Sequence, residues 1–494
     1  MTVDTKAKRA DGTQDSASLK GAYQAVLEGQ VDPLSDAQQL AAAMGAGGGL
    51  LQRGGPRPGR LLLTSWLGAA FVYGIVVIGM ESNLSDLALR AYTTDDQMSM
   101  AMVWRGIGST LGAFCIAPVL LAMDAHTLLA TTTGACAGLL LAMPWISTSR
   151  GFFAAFAGFG ALLPVQDAAL QFLVARHYGP QGAGPIQQAV SICMFLSILL
   201  CPALHYMLGF NTEYLLLGGF SLAAAVMAIA LPSPGRGGAG SNEHPKGLQE
   251  AAGSAPGSGS PPQGGRQAIW AELREMDVAG NICTMLIIFL TTTAVVQTTS
   301  YIRTYAVDMA LLSVDQDDLL LLCYLVPAVT GMFVAMPVQK LWVTSLDRAC
   351  TLLAICMAVG AMSGLISAAS GVQGDNTTQW LSTALYGFGT GPAIGLGYDV
   401  WNRAVQVTEL STALVMGVGF VAPSLATYLT FHLWQSLDSP EMLQASNAVY
   451  CFLALLCAVY LQQRGRGTPP TPREQKLGPA LAKKLKDTLS KCTS

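Results

Sequence analysis

Arg105 and Asp167 are charged side chains set deep inside long apolar runs. A bilayer penalises such groups by several kcal/mol, so each is a candidate for function. Arg105 stands about eight residues into a run that begins near residue 97, roughly 12 Å deep at the helical rise of 1.5 Å per residue. It cannot discharge by losing a proton, so it must hold a partner: a carboxylate or solute hydroxyls in a central cavity, or a structural mate among the acids of the preceding loop. Asp167 has Gln166 beside it and Gln171 one turn on. A carboxylate in that setting can bind a cation or take and release a proton; its structural alternative is a pair with Arg176. Asp86, at the end of the first apolar run, is a second candidate for cation coupling. Asp399 lies four residues before Arg403, the spacing of a helical ion pair, and reads as structural. Gln187, Gln188, Asn281, Gln297, Tyr301, Tyr386 and Trp401 supply amides and aromatic faces. That inventory suits a polyhydroxylated solute, although each amide also serves as a link between helices.

The elements that must position these groups are membrane spans. The chain has 494 residues, 52% hydrophobic and 12% charged, where soluble domains carry about 25% charged residues. A formal net charge of −3 gives no general attraction to nucleic acid, which is excluded as a partner. Ten of the eleven cysteines sit inside apolar runs without CxxC spacing, so neither a disulfide framework nor a metal site is expected. Neither HExxH, a Ser/His pairing nor a nucleotide-binding P-loop occurs, which argues against an enzyme and against an ATP-driven pump.

Spans of roughly 20 apolar residues are expected at 61–84, 97–122, 126–148, 151–176, 183–208 and 212–232, then at 278–305, 317–342, 348–370, 378–402, 407–433 and 442–462. The fold class is therefore an all-α polytopic membrane protein, twelve helices as two six-helix bundles (61–232 and 278–462). Residues 1–60 form a disordered tail without a cleavable signal peptide. Residues 233–265 are a Gly/Ser/Pro tract that cannot build a core. Residues 266–277 form an amphipathic helix completing the linker, and 463–494 a basic tail with a second amphipathic segment at 481–489.

The halves repeat. Gly-x-Phe-x-x-x-Pro occurs at Gly112 and Gly331 (331 − 112 = 219), GFG at Gly158 and Gly387 (387 − 158 = 229), and Pro-x-Leu at Pro202 and Pro423 (423 − 202 = 221). Duplication across hydrophobic segments is the signature of a secondary transporter with its solute site between the halves. Arg60, Arg176, Lys340, Arg348, Arg403 and Arg464 fall on one side, and Asp86, Glu213, Asp308 and Glu441 on the other. The positive-inside rule then places both termini in the cytoplasm and the Asn376 sequon outside.

Six plus six spans joined by a long middle loop resemble the major facilitator superfamily over roughly residues 60 to 462. NLSDLALRAY…WRGIGSTLGAFCIAPVLLAMD (83–124), GFGALLPVQDAALQ (158–171) and YIRTYAV (301–307) are similar to its sodium-dependent glucose transporter branch, with fucose permease a more distant relative. The resemblance implies that spans one, four, seven and ten line the cavity. It also implies an acidic residue in span seven, where this chain has Gln297, and an Asp-Arg after span two, where Asp124 is followed by Ala125. The matching loop of the second half keeps Asp347-Arg348. Asp124, Asp347, Arg348, Asp399 and Arg403 are accordingly read as gate or structural ion-pair residues. Arg105, Gln166, Gln171, Gln187, Gln297, Tyr301 and Tyr386 are read as substrate-binding, and Asp167 and Asp86 as cation-coupling.

The expectation is a secondary active carrier, in a plasma or endolysosomal membrane and functional as a monomer, that moves a sugar with a sodium ion or proton and needs no cofactor. A carrier of another small organic solute, and a transporter-like receptor or scaffold without flux, are the alternatives. The scaffold would show a dry, side-chain-filled centre.

Overall fold

A computed structural model describes residues 59–79, 84–231, 278–308, 318–373, 376–405, 407–437 and 439–465, and all of its regular elements are helices. The expected tails, the Gly/Ser/Pro tract and both amphipathic segments lie outside the described residues.

Helix α1 (Arg60–Gly74) continues as a π-helical turn, Ile75–Gly79. The short α2 (Leu84–Arg90) leads to α3 (Asp95–Ala122) and α4 (Ala125–Ala142). The run Ser149–Ala230 is three helices, broken at Gly179 (φ 62°) and Gly209 (φ 72°), which we number α5 (149–178), α6 (180–208) and α7 (210–230). Positive φ is strained for any residue with a Cβ, so glycine is what lets the chain reverse at these two points without a loop. The second half comprises α8 (Val278–Asp308), α9 (Asp318–Trp342), α10 (Leu346–Gln373), α11 (Asn376–Thr390), α12 (Ala393–Ala404), α13 (Glu409–Leu437) and α14 (Met442–Gly465).

Among the described residues ten helices are long and apolar enough to cross a membrane. The split pair α11–α12 and helix α13 complete twelve spans. Pro392 causes the split, because it has no N–H to continue the ladder. Helix starts are fixed by side-chain caps: Thr94 accepts from Gln97 N, Asp124 from Thr127 N and Thr148 from Gly151 N, at 3.2–3.3 Å. Apolar side chains such as Phe114, Leu61, Ile229 and Leu381 are more than 60% exposed, as expected of a surface that faces lipid.

Alternating helix direction collects the basic helix termini at one end and the acidic loops at the other; we call these the basic and acidic ends. At the basic end the imidazole of His126 accepts from Trp66 Nε1 (3.4 Å) and meets Ala228 O (2.9 Å), tying α1, α4 and α7. At the acidic end Arg90 donates to Pro144 O and stacks on Phe210.

The repeated glycines are helix-crossing points. A Cβ added to Gly108 or Gly112 of α3 would strike the carbonyls of Ala157 and Ala161 on α5, and one on Gly160 would strike Arg105 O. In the second half an added Cβ on Gly331 of α9 would strike Phe388 O, and on Gly391 Ala328 O. Close backbone contact of this kind is the usual way helices associate in lipid, where burial of apolar surface offers no drive. The environments also correct the register of the GFG repeat. Gly158 faces α4 as Gly389 faces α10, and Gly160 faces α3 as Gly391 faces α9. Spans four and ten are therefore related by 389 − 158 = 231, one helical notch away from the literal GFG match.

Candidate functional site

Between the halves lies a cavity of about 50 Å³. At roughly 10–15 Å³ per water this holds a few water molecules, not a hexose. Tyr73, Gly74 and Val77 of α1, Arg105 and Ser109 of α3 and Met194 and Phe195 of α6 form one wall; Thr292 and Val296 of α8, Ile394 of α12 and Phe420 of α13 form the other. Tyr73 and Phe420 meet edge to face across the halves at 6.1 Å.

Arg105 is 7% exposed, and its Nη1 donates to Val77 O at 2.5 Å. Val77 belongs to the π-helical turn, a distortion that is frequent at functional sites. Tyr73 lies within electrostatic reach of both Arg105 and Asp167.

Toward the basic end the halves are bolted together. Asp167 Oδ1 accepts from Gln171 Nε2 at 2.9 Å, and Oδ2 accepts from Tyr398 OH at 2.8 Å. By the corrected register Tyr398 is the pseudo-symmetric mate of Asp167 (398 − 167 = 231), so the bond joins corresponding positions of spans four and ten. Gln188 Nε2 on α6 donates to Pro392 O at 2.9 Å. Two glycines permit this contact. A Cβ on Gly184 would come within 2.7 Å of the Asp399 carboxylate, and one on Gly395 within 2.8 Å of the Gln188 amide. Asp399 is fully buried and paired with Arg403 at 2.9 Å. Along the same seam Gln171 Oε1, both amide atoms of Gln187, Gln188 Oε1, Asp399 Oδ2 and both amide atoms of Asn402 have no hydrogen-bond partner among the described residues. A buried polar atom left without a partner costs about 1–3 kcal/mol, so these atoms are the polar groups along the seam that water would serve.

The substrate-binding candidates do not converge. Arg105 lines the cavity. Gln166 instead donates to Ala69 O and Thr133 Oγ1 inside the first half, and Gln297 to Ser446 Oγ and Leu443 O inside the second. Tyr386 OH reaches Ala294 O, and Tyr301 packs its ring edge to face with Trp434. Gln171 and Gln187 lie on the seam. Inside a half-bundle a buried amide is satisfied by a partner on the next helix, which is where most of these went. Asp86 is also displaced from Asp167: it lies on α2 at the acidic end, 2.7 Å from His205 Nε2. His205 Nδ1 is 2.8 Å from Glu213, whose side chain is 1% exposed. Asp124 is an exposed N-cap, Asp347 stands in the first turn of α10, and Arg348 donates to Trp342 O and Thr344 Oγ1 at 3.1 Å, closing the end of α9. Tyr73, Ser109, Tyr398 and His205 were not singled out from sequence. The clearest signal was Tyr398, a hydroxyl beside an intramembrane acid in the glycine-rich tenth span.

A family model of the Major Facilitator Superfamily matches residues 61–427, and the chain belongs to that superfamily. It is an integral multi-pass membrane transporter of small solutes, not an enzyme. Comparison with curated proteins gives no match. Among solved structures it is similar to the Major Facilitator Superfamily transporter FucP in the outward conformation, with TM-score 0.58, 14% identity and coverage of 81% of this chain and 98% of that one. It is likewise similar to the proton:xylose symporter XylE bound to a bromodeoxyglucose (0.59, 14%, 82% and 95%), and to a variant of the E. coli fucose:proton symporter FucP (0.56, 14%, 81% and 98%).

Proposed function

We propose that this protein is a secondary active sugar carrier working by alternating access, with a proton or sodium ion at Asp167 as the driving species. The observation that carries the reading is the Asp167–Tyr398 bond between the two halves. An ionised carboxylate makes hydrogen bonds roughly twice as strong as a neutral one. A proton or metal cation on Asp167 therefore weakens the bolt between the halves at the basic end. The cation is bound unequally by the closed and opened states, and that difference is what biases a conformational equilibrium. The sugar class is supported by the names of the similar structures and by the hydroxyls of Tyr73, Ser109 and Thr292 at the cavity. With the basic end cytoplasmic, both termini face the cytoplasm, and one chain contains the whole path, so the monomer is the working unit.

The test is uptake of labelled sugars into proteoliposomes under imposed proton or sodium gradients. Wild type is expected to concentrate a sugar against its gradient, and Asp167→Asn to lose that concentrating ability while retaining exchange. Gradient-driven accumulation unchanged in Asp167→Asn overturns the coupling role.

A further inference from the structure

We infer that Tyr73, Ser109 and Thr292 form a three-point grip that holds the solute by its own hydroxyl groups from both halves at once, with Thr292 as the second half's specificity-determining contact. The inference rests on the sugar-carrier reading and names the residues that recognise the sugar.

The disposition of the hydroxyls leads to it. A serine or threonine inside a helix commonly turns its hydroxyl back to the carbonyl of the preceding turn. The neighbours at the cavity do so: Thr110 of α3 donates to Gly106 O at 2.9 Å, and on α8 Thr291 donates to Ile287 O at 2.8 Å and Thr298 to Ala294 O at 2.7 Å. Ser109 and Thr292, each next in sequence to one of these, do not. Both line the cavity, as does Tyr73, and none of the three hydroxyls hydrogen-bonds to another described residue. Tyr73 and Ser109 are buried, so these are interior hydroxyls presented to a cavity. Thr292 is the one polar side chain among the described residues of the second-half wall, where Val296, Ile394 and Phe420 are its neighbours.

A hydroxyl donates one hydrogen bond and accepts two, so its natural complement is another hydroxyl. Three of them on separate helices fix how a polyhydroxylated ring lies, and apolar walls with a few placed polar groups are the ordinary form of a small-molecule site. Two points come from α1 and α3 of the first half and one from α8 of the second, so the grip is complete only with the halves together. A sugar held at all three is bound more tightly with the halves together than apart, and that difference draws them onto it. The cavity of about 50 Å³ is smaller than a sugar, so the loaded carrier closes less far than the empty one.

Titration calorimetry on purified, detergent-solubilised full-length protein tests this with D-glucose, D-xylose and L-fucose, followed by the monodeoxy analogues of whichever binds most tightly. A site built to hydrogen-bond a hydroxyl rejects the analogue that lacks it, so one analogue is expected to bind wild type ten-fold or more weakly than its parent. Thr292→Val should weaken the parent by a similar factor yet bind that analogue as wild type does, because the pair is already broken; Thr292→Ser should restore the parent's affinity. Tyr73→Phe and Ser109→Ala should each single out a different analogue in the same way. Every variant is first checked for monodispersity, and unchanged binding of the matching analogue separates a lost contact from a lost fold. Parent binding as tight as wild type in any of the three hydroxyl-deleting variants overturns the grip, as does a Thr292→Val protein that weakens the parent and every analogue alike; both leave the sugar-carrier reading standing. If none of the three sugars binds wild type, the sugar reading fails together with the inference.

Discussion

Tyr398 and Asp167 show what one hydrogen bond does at the junction of two rigid bodies. Both side chains are buried, and the bond joins helices from opposite halves. Tyr398→Phe keeps the ring and removes the donor, so the closed state loses a charge-assisted bond of about 1.5–3 kcal/mol. That loss falls on the closed state alone, since opening separates the two groups. The expected outcome is greater solvent access at the basic end, read as faster alkylation of a cysteine placed at Asn402, with the fold retained by gel filtration. An unchanged alkylation rate would show that the bond does not hold the gate. Asp167 was legible from sequence because an acid within an apolar run has few reasons to be there. Its partner was not, because tyrosines are common in membrane helices and only the packing of α5 on α12 selects this one. The literal GFG match also hid the pairing, since it put Asp167 out of register with every polar group of span ten.

Elements divide into crossings that the sequence displays and clusters that it conceals. Gly108, Gly112 and Gly160 let α3 and α5 touch backbone to backbone, and Gly331 and Gly391 do so for α9 and the end of α11 with its junction to α12. These were visible as a repeat because a crossing tolerates no Cβ and both halves kept the same solution. A leucine at Gly108 or Gly391 is expected to cost at least the 1–3 kcal/mol of an overpacked core, seen as a lower melting temperature and a loss of monodisperse protein. The Asp86–His205–Glu213 cluster was concealed, because α2, α6 and α7 bring it together only after Gly209 reverses the chain. Its members contribute unequally. Asp86 is 45% exposed, so Asp86→Asn should change stability by less than about 1 kcal/mol. Glu213 is 1% exposed, and His205→Ala, which leaves its carboxylate without that imidazole, is expected to lower the melting temperature clearly further than Asp86→Asn. Because Asp86 is absent from the cavity lining, Asp86→Asn should also keep gradient-driven uptake. Loss of uptake in a stable Asp86→Asn protein would return that residue to the coupling machinery.

The whole molecule is symmetric in its frame and asymmetric in its charge. Arg105 and Tyr324 occupy equivalent places in the two halves (324 − 105 = 219), and so do Asp167 and Tyr398, so at both positions a charge in the first half corresponds to a phenol in the second. The halves can rock as bodies because their contact at the basic end is polar and glycine-lined, while each interior is tied by its own amides. Immobilising that contact should stop transport without unfolding either half. Gly184 and Asp399 offer the geometry: the Cβ that Gly184 lacks would lie 2.8 Å from Asp399 Cγ, which puts two Cβ atoms at about the 3.5–4.5 Å separation a disulfide needs. In the Gly184→Cys/Asp399→Cys variant, oxidation is expected to abolish flux and reduction to restore it. The oxidised carrier, shut at the basic end, should still bind solute offered from the acidic end, because the cavity lies beyond the cross-link. Flux that continues in fully cross-linked protein would mean that the solute passes without the halves parting at α6 and α12, and rocking about this seam would then not be the transport step.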